Sequence, residues 1–266
     1  MLCRMPATIL AHQALVLPLK LRWPRHFNGL ALCIGSMAPD LEFIGRMHDD
    51  WIISHTFWAQ LYFSTPLALL LTWLLTAIAL PTVLPFVRDH PRLRLHDLVA
   101  LGPPRGRRGW CVAALSAWIG GVSHWALDGI THGGHSGWAV VYMPWLRTPV
   151  PSFGGPVPLH DALQLWLTVV LGLAGAWMVA HIAERRLLWT WRALEPRALP
   201  KRARHEGERL LLAVGGAAAL GAYIGATLRD GSTTKTWIAG LAFGAIDFAL
   251  LATMVFAMGL AVRRRA

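Results

Sequence analysis

The chain alternates between long apolar runs and shorter segments rich in proline and basic residues. Most of the apolar runs hold about 18 to 25 residues, the length with which an α-helix crosses the hydrocarbon core of a bilayer. Helices satisfy their own backbone hydrogen bonds in lipid. The pattern therefore predicts an all-α, polytopic membrane helix bundle, with five to six membrane-crossing helices in a single integral-membrane domain, 1–266. The predicted spans are 27–44, 57–80, 111–132, 161–183, 210–228 and 237–260.

Two parts of the N-terminal region depart from this simple pattern. Residues 7–19 form an apolar stretch that contains His12 and is too short to cross, so it predicts a re-entrant or interfacial helix. The span 27–44 is broken near Pro39, because the residue before a proline is forced out of the helical region. Pro39 suits the first turn of a new helix, with Asp40 beside its N-terminus. Broken helices in membrane proteins are tolerated where they line a cavity.

The composition agrees with membrane insertion. Hydrophobic residues make up 55% of the chain and charged residues only 15%, and the 14 tryptophans suit membrane interfaces. The net charge of +11 does not indicate nucleic-acid binding, because the basic residues lie between the apolar runs. There they set topology and contact lipid headgroups, so membrane lipids are the expected partners. The three scattered cysteines indicate neither a disulfide framework nor a thiolate metal site.

The basic residues are unevenly distributed between the loops. The segments 81–110 and 184–209 and the C-terminal tail are rich in them and alternate with loops that hold few. The positive-inside rule places the basic loops in the cytoplasm, so the segment 133–160 faces the outer side. The basic residues of the N-terminus favour an inside location, which requires the broken segment 27–44 to cross as a sixth span.

The most informative stretch lies at the end of the span 111–132. His124, Asp128 and His132 follow one another at intervals of four residues, which places all three on one helix face. Ionisable side chains are costly inside a membrane and usually face the bundle interior or a wet cavity. Imidazoles and carboxylates without cysteine suit zinc, manganese or iron. The stretch predicts a divalent-metal site, with a polar seam between packed helices as the alternative.

Two further residues fall at the same predicted level of the membrane, Asp40 at the helix break and His55 at the mouth of the next span. A catalytic zinc keeps one position open for water and lowers the pKa of that water. A carboxylate that does not bind the metal then acts as general base. Asp40 and Asp128 are both candidates for this role, and the residues alone do not separate base from ligand.

Three other ionisable residues attract weaker interpretations. His135 and His160 lie in the long segment 133–160 and are expected to be solvated or to belong to a lid. Asp247, inside the last span, is expected to be a helix-packing partner or part of a second polar pocket. The chain carries no His-Glu-x-x-His, glycine-rich phosphate loop or Gly-x-Ser-x-Gly motif.

Several short motifs occur in a fixed order. They are Met5–His12, Ile34–Asp40, Ser54–Thr56 and Ser123–His132, followed by Gly137–Val140. Together they resemble an uncharacterised bacterial integral-membrane family, the domain of unknown function 4184, from Met5 to about His181. That family is distantly similar to inner-membrane proteins described as membrane-bound metal-dependent hydrolases, which share a His, a Pro-Asp, a His and a His-x-x-x-Asp in that order. The resemblance implies a ligand set of His12, Asp40, His55, His124 and Asp128, with His132 beside it. The pattern departs from the hydrolase-like group at Leu41 and Glu42, which replace a further aspartate and weaken the case for a second metal.

These inferences converge on a membrane-embedded metal-dependent hydrolase of the bacterial inner membrane, with its site on the periplasmic side. Its expected substrate is lipid-linked or part of the envelope, and by analogy a phosphoester. Two other function classes fit the sequence. One is a non-enzymatic membrane protein with a structural His/Asp seam or a regulatory metal, and the other is a small transporter, favoured by the helix break and Asp247. The hydrolase hypothesis assigns Asp40 as base, and His12, His55, His124, Asp128 and His132 as ligands of zinc, or of manganese or iron.

Overall fold

A computed structural model describes residues 9–42, 53–134, 136–152, 155–196, 199, 204–228, 252, 253 and 255. These residues are mostly helical, as the apolar pattern predicts. The helices are α1 (Ile9–Arg22), α2 (Gly29–Gly35), α3 (Gln60–Phe86), α4 (Gly106–Thr131), α5 (Trp138–Tyr142), α6 (Leu159–Glu184), α7 (Leu187–Thr190) and α8 (Arg204–Leu228). Outside α3, whose last turn Leu84–Phe86 is itself 3-10, three 3-10 helices lie at Ala38–Asp40, Leu95–Leu101 and Pro144–Arg147. The two short strands are β1 (Pro149–Val150) and β2 (Val157–Pro158).

Helices α3, α4 and α6 are long and apolar enough to cross a membrane. At 1.5 Å per residue each extends about 39 Å or more, which exceeds the roughly 30 Å of a bilayer core. Helix α8 holds a shorter apolar segment, Leu212–Ile224. Most of the predicted span 237–260, including Asp247, lies outside the described residues. The described part of the chain thus supplies three membrane-length helices.

Helix α3 continues to Phe86, so the loop that was expected to begin at residue 81 begins later. π-Helical turns at Gln60–Ser64 and Leu75–Ala79 precede Pro66 and Pro81, and each proline then stands in the first turn of a new helical segment. A proline has no N–H to donate, and the first turn of a segment requires none. The changes in helical register therefore let the prolines continue one long helix.

Helices α2 and α4 touch through their backbones. A Cβ atom on Gly35 would lie 2.2 Å from the carbonyl oxygen of Ala117, and one on Gly120 would lie 2.4 Å from that of Leu32. Small residues of this kind let membrane helices approach closely. Helix α2 ends at Gly35, and the chain turns into the short 3-10 helix Ala38–Asp40, as the break in the predicted span requires.

Helix α1 packs along α6 and contacts α4. Ala14 and Leu17 form an apolar cluster with Met178 of α6, and Gly175 leaves room for the backbone of Leu10. This packing carries the side chain of His12, one turn from the start of α1, into the seam between α4 and α6.

The two basic loops meet at one end of the bundle. Arg186 donates hydrogen bonds of 2.7 and 3.0 Å to the carboxylate of Asp97, and Arg192 donates one of 2.7 Å to the carbonyl oxygen of Leu101. Burial alone would raise the pKa of the Asp97 carboxyl, but the hydrogen bonds from Arg186 outweigh it and hold that pKa below its ordinary value. Both loops therefore lie at the end where α3 and α6 finish and α4 begins.

The segment between α4 and α6 is more ordered than the long loop expected there. It contains α5, a 3-10 helix and a two-stranded antiparallel ladder that pairs Pro149 with Pro158. Ala139, Val140 and Leu146 form a small buried core with partly buried residues of α4 and α6. The segment is a folded cap at the end of the bundle where α4 finishes and α6 begins.

Candidate metal centre

Four ionisable side chains converge where α4 approaches the α2–α3 connection. Asp40 comes from the 3-10 helix after α2, His55 from the turn before α3, and His124 and Asp128 from the last two turns of α4. Each of the four offers one ligand atom, and these atoms all lie within 4.8 Å of one another. His55, His124 and Asp128 are buried, and Asp40 is half-buried.

The distances between these atoms suit a shared cation. Asp128 Oδ2 lies 3.0 Å from His124 Nε2 and 3.3 Å from His55 Nε2, and the two Nε2 atoms are 3.3 Å apart. Asp40 Oδ1 lies 3.5 Å from His124 Nε2 and 3.7 Å from His55 Nε2. Ligands at zinc distances around a tetrahedron are separated by about 3.3 to 3.6 Å. The observed separations cluster around that range.

The outer nitrogens of the two imidazoles are held by hydrogen bonds that fix where each ring carries its hydrogen. His124 Nδ1 lies 2.9 Å from the carbonyl oxygen of Ser36, which accepts only, so Nδ1 is the donor. His55 Nδ1 lies 3.0 Å from Ser54 Oγ. That hydroxyl donates to the carbonyl oxygen of Pro39 at 2.8 Å and therefore accepts from His55. In its neutral form each ring therefore directs the lone pair of Nε2 inwards.

With both rings neutral, the inward-facing atoms are all acceptors. The Nε2 lone pairs of His55 and His124 face each other and the carboxylates of Asp40 and Asp128, and no hydrogen lies between neutral rings and ionised carboxylates. Buried acceptors in such contact require a positive charge among them. An extra proton on one ring, or a metal ion bound to all four groups, would supply it.

The remaining two predicted ligands lie on the other side of Asp128. His12 Nε2 is 3.7 Å and His132 Nδ1 is 3.5 Å from Asp128 Oδ1. The His12 ring also stacks on His124, with centroids 4.1 Å apart and an interplanar angle of 21°. The predicted helical stripe is thus present in α4, although His132 lies just beyond the last helical residue and acts as its cap.

Sequence reasoning missed the residues that hold the ligands in place. Glu42 accepts a hydrogen bond of 2.6 Å from the backbone N–H of Ser54, and Gln60 donates one of 2.6 Å to the carbonyl oxygen of Ser54. The Ser-His-Thr motif pointed to Ser54 without giving it a role, and the backbone carbonyl of Ser36 leaves no signal in the sequence. His160 was expected to be solvated or part of a lid, but it is buried, with Nδ1 3.0 Å from the carbonyl oxygen of Leu146.

Aromatic side chains next in sequence to the site residues pack against one another and against the cap. Trp125 stacks on Trp138 with ring centroids 4.7 Å apart, and Phe57 meets Trp125 edge to face at 5.3 Å. Further aromatic residues nearby in the chain, Trp58 and Tyr142, are exposed. Exposed Trp and Tyr at the ends of apolar helices are typical of the membrane–water interface.

Comparisons with known proteins give the family. No curated protein and no solved structure matches the chain. A family model with the description "Domain of unknown function (DUF4184)" matches residues 5–258, a range that includes all six predicted site residues. The chain therefore belongs to the DUF4184 family.

Proposed function

We propose that this protein is a membrane-embedded metal-dependent hydrolase whose metal is bound by His55, His124 and Asp128. The observation that carries the proposal is the convergence of two Nε2 lone pairs and two carboxylates on one point, with both Nδ1 atoms fixed as donors from behind. Metal-binding histidines are oriented by such outer hydrogen bonds. The donor set contains nitrogen and oxygen but no sulfur, which suits zinc and also manganese or iron.

Asp40 differs from the other three groups in its accessibility. Its side chain is 25% exposed, against 6% for Asp128, 4% for His55 and none for His124. A group that takes a proton from an attacking water must face the side from which water and substrate arrive. This asymmetry supports Asp40 as the general base. A bound divalent cation would supply Lewis-acid polarisation of the substrate and of the water.

The surroundings support a substrate that arrives at the membrane surface. The centre lies at the end of the bundle where α4 finishes, opposite the contact between the two basic loops. Basic loops favour the cytoplasm, so we place the centre on the periplasmic side of the inner membrane. An anionic, lipid-linked phosphoester would present its reacting group at this level and leave its lipid portion in the bilayer.

The decisive experiment combines metal analysis with an assay of phosphoester hydrolysis on the full chain in lipid. The wild type should contain stoichiometric transition metal, and its activity should disappear on chelation and return with zinc or manganese. His124→Ala should lose the metal of this centre and the activity, whereas Asp40→Asn should keep most of that metal and lose activity. His90→Ala, which removes an exposed histidine at the opposite end, should change neither.

The same measurements can also refute the proposed hydrolase function. A folded wild-type protein that binds no transition metal, with a His124→Ala variant that functions like wild type, would leave the cluster as a structural seam in which a proton supplies the positive charge. A metal-containing protein without hydrolytic activity on any phosphoester tested would restrict the site to a regulatory or structural metal.

A further inference from the structure

Asp128 presents its two carboxylate oxygens to two different groups of side chains. Oδ2 faces His55 and His124, within the centre described above. Oδ1 faces His12 and His132 and has no hydrogen-bond partner among the residues that the structure describes. Leaving a buried carboxylate oxygen without a partner costs about 1–3 kcal/mol or more. The Asp128 side chain is only 6% exposed, so the unpartnered oxygen points to a missing ligand.

A small pocket adjoins this oxygen. It measures about 10 Å³, and its polar lining consists of His12, Asp128, Thr131, His132, Gln164 and Thr168. A space of that size holds about one water-sized particle and excludes an organic molecule. The ligand that completes Asp128 Oδ1 is therefore a single ion or a single water.

The distances favour an ion. His12 Nε2 and His132 Nδ1 lie 3.7 and 3.5 Å from Asp128 Oδ1, which is too long for a direct hydrogen bond. The same distances fit the separation of about 3.3 to 3.6 Å between two ligands of one tetrahedral zinc. His12 Nδ1 also has no partner within the described residues, so no hydrogen bond there opposes a lone pair on Nε2.

Gln164 provides the outer contact of His132. Its amide nitrogen lies 3.1 Å from His132 Nε2. A rotation of this amide by 180° would put its oxygen in the same place, where it would accept a hydrogen from Nε2 and leave the Nδ1 lone pair directed at the pocket. The hydroxyl of Thr131 lies 3.0 Å from His132 Nδ1 and donates to the carbonyl oxygen of Leu127, so without a metal it accepts the hydrogen of Nδ1. Binding of a cation at Nδ1 would therefore require the ring hydrogen to move to Nε2, where the turned Gln164 amide would accept it.

We propose that a second divalent cation binds in this pocket, with His12 Nε2, His132 Nδ1 and Asp128 Oδ1 as ligands, so that Asp128 bridges two metal ions. The inference rests on the proposed function in that Asp128 also belongs to the first centre. Leu41 and Glu42, which depart from the hydrolase-like pattern, do not line this pocket. Two-metal sites can clamp both the attacking and the leaving oxygen of an in-line displacement, which agrees with the phosphoester named in the proposed function.

Metal stoichiometry tests the second site directly. Wild-type protein in lipid nanodiscs, loaded with manganese and washed, should hold two ions per chain. His12→Ala and His132→Ala should each hold one, His55→Ala should also hold one, and Asp128→Asn should hold almost none. His90→Ala should keep two. Electron paramagnetic resonance of the wild type should show two coupled Mn²⁺ ions, and His12→Ala should show the uncoupled six-line spectrum.

The outcomes separate this inference from the proposed function. A wild type with one uncoupled ion, unchanged in number in His12→Ala, would show that only a water occupies the pocket and would refute the second site while leaving the first intact. A wild type without any bound metal would overturn both. The wild-type spectrum alone decides the question, so the result does not depend on whether the buried His12 variant folds.

Discussion

Replacing Ser54 by alanine tests whether outer hydrogen bonds prepare the centre for a metal. Ser54 is fully buried, and its hydroxyl links His55 Nδ1 at 3.0 Å to the carbonyl oxygen of Pro39 at 2.8 Å. Among the described residues, this hydroxyl has no hydrogen bond to another side chain of the cluster. The substitution therefore leaves the three proposed ligands and Asp40 in the protein and removes the hydroxyl that orients one imidazole.

The expected effect on metal binding follows from that loss. Without the hydroxyl, the His55 ring is free to place its hydrogen on Nε2, where it opposes coordination, and to rotate away from His124. Removing an outer partner of a metal-bound histidine typically costs 10- to 100-fold in metal affinity, or about 1.4 to 2.7 kcal/mol. The lost hydrogen bond to Pro39 should lower the free energy of unfolding by about 1 kcal/mol more.

The metal dissociation constant is measured by competition with a chromogenic chelator, and the free energy of unfolding is followed on the same samples. Ser123→Ala is the matched control, because Ser123 precedes His124 but its hydroxyl donates only to the carbonyl oxygen of Gly120. The dissociation constant of this control should stay within about twofold of wild type. An unchanged dissociation constant in a folded Ser54→Ala protein would refute the role given to the outer hydrogen bonds.

Three other predictions concern the fold. Gly120→Ala should lower the free energy of unfolding by about 1–3 kcal/mol, because its Cβ would lie 2.4 Å from a carbonyl oxygen of α2, whereas Gly172→Ala meets nothing within 4 Å and should be neutral in thermal unfolding. The ionised Asp97 carboxylate stabilises the fold at pH values above its ordinary pKa, and this stabilisation is lost as the pH falls through the lowered pKa of the folded state. Asp97→Asn should therefore reduce the melting temperature at pH 7, and the melting temperature of the variant should fall less steeply than that of wild type below about pH 4. In a cysteine-free background, a cysteine at Ser152 should react with an impermeant thiol reagent in intact cells, and one at Glu195 should react only after the membrane is opened; the reverse order would contradict the orientation.

The sequence predicts the parts of this structure that depend on local patterns. Apolar runs predict α3, α4 and α6 because burial in lipid requires long apolar helices, and the interval of four residues predicts that His124 and Asp128 share a face. The predicted end of α3 at residue 80 was wrong, because a proline indicates a loop unless the helical register changes just before it. Such a change of register depends on tertiary packing. The prolines of α3 illustrate this at Pro81.

The sequence does not predict which role each residue has within the site. Residue types and spacing place five ligand-type residues in one region and the family resemblance adds His12, but neither tells which oxygen of Asp128 faces which histidine. That depends on the angle at which α1 crosses α4 and α6, and this angle follows from contacts such as that of Gly175 with the backbone of Leu10. The base and ligand roles of Asp40 likewise depend on exposure, which only the packed structure gives.

The location of the centre explains how a membrane protein tolerates so many ionisable groups. Asp40 and His55 lie where helices end or break, and His124 and Asp128 lie in the last two turns of α4, so all four are near one end of a membrane-length helix rather than at its middle. Two carboxylates carry two negative charges, and one divalent cation between neutral imidazoles would cancel them. A second cation at Asp128 Oδ1 would leave a surplus positive charge, which the anionic oxygens of a phosphoester would neutralise. The electrostatic free energy of the buried cluster is then lowest with substrate bound, so the substrate and the second metal ion should bind cooperatively.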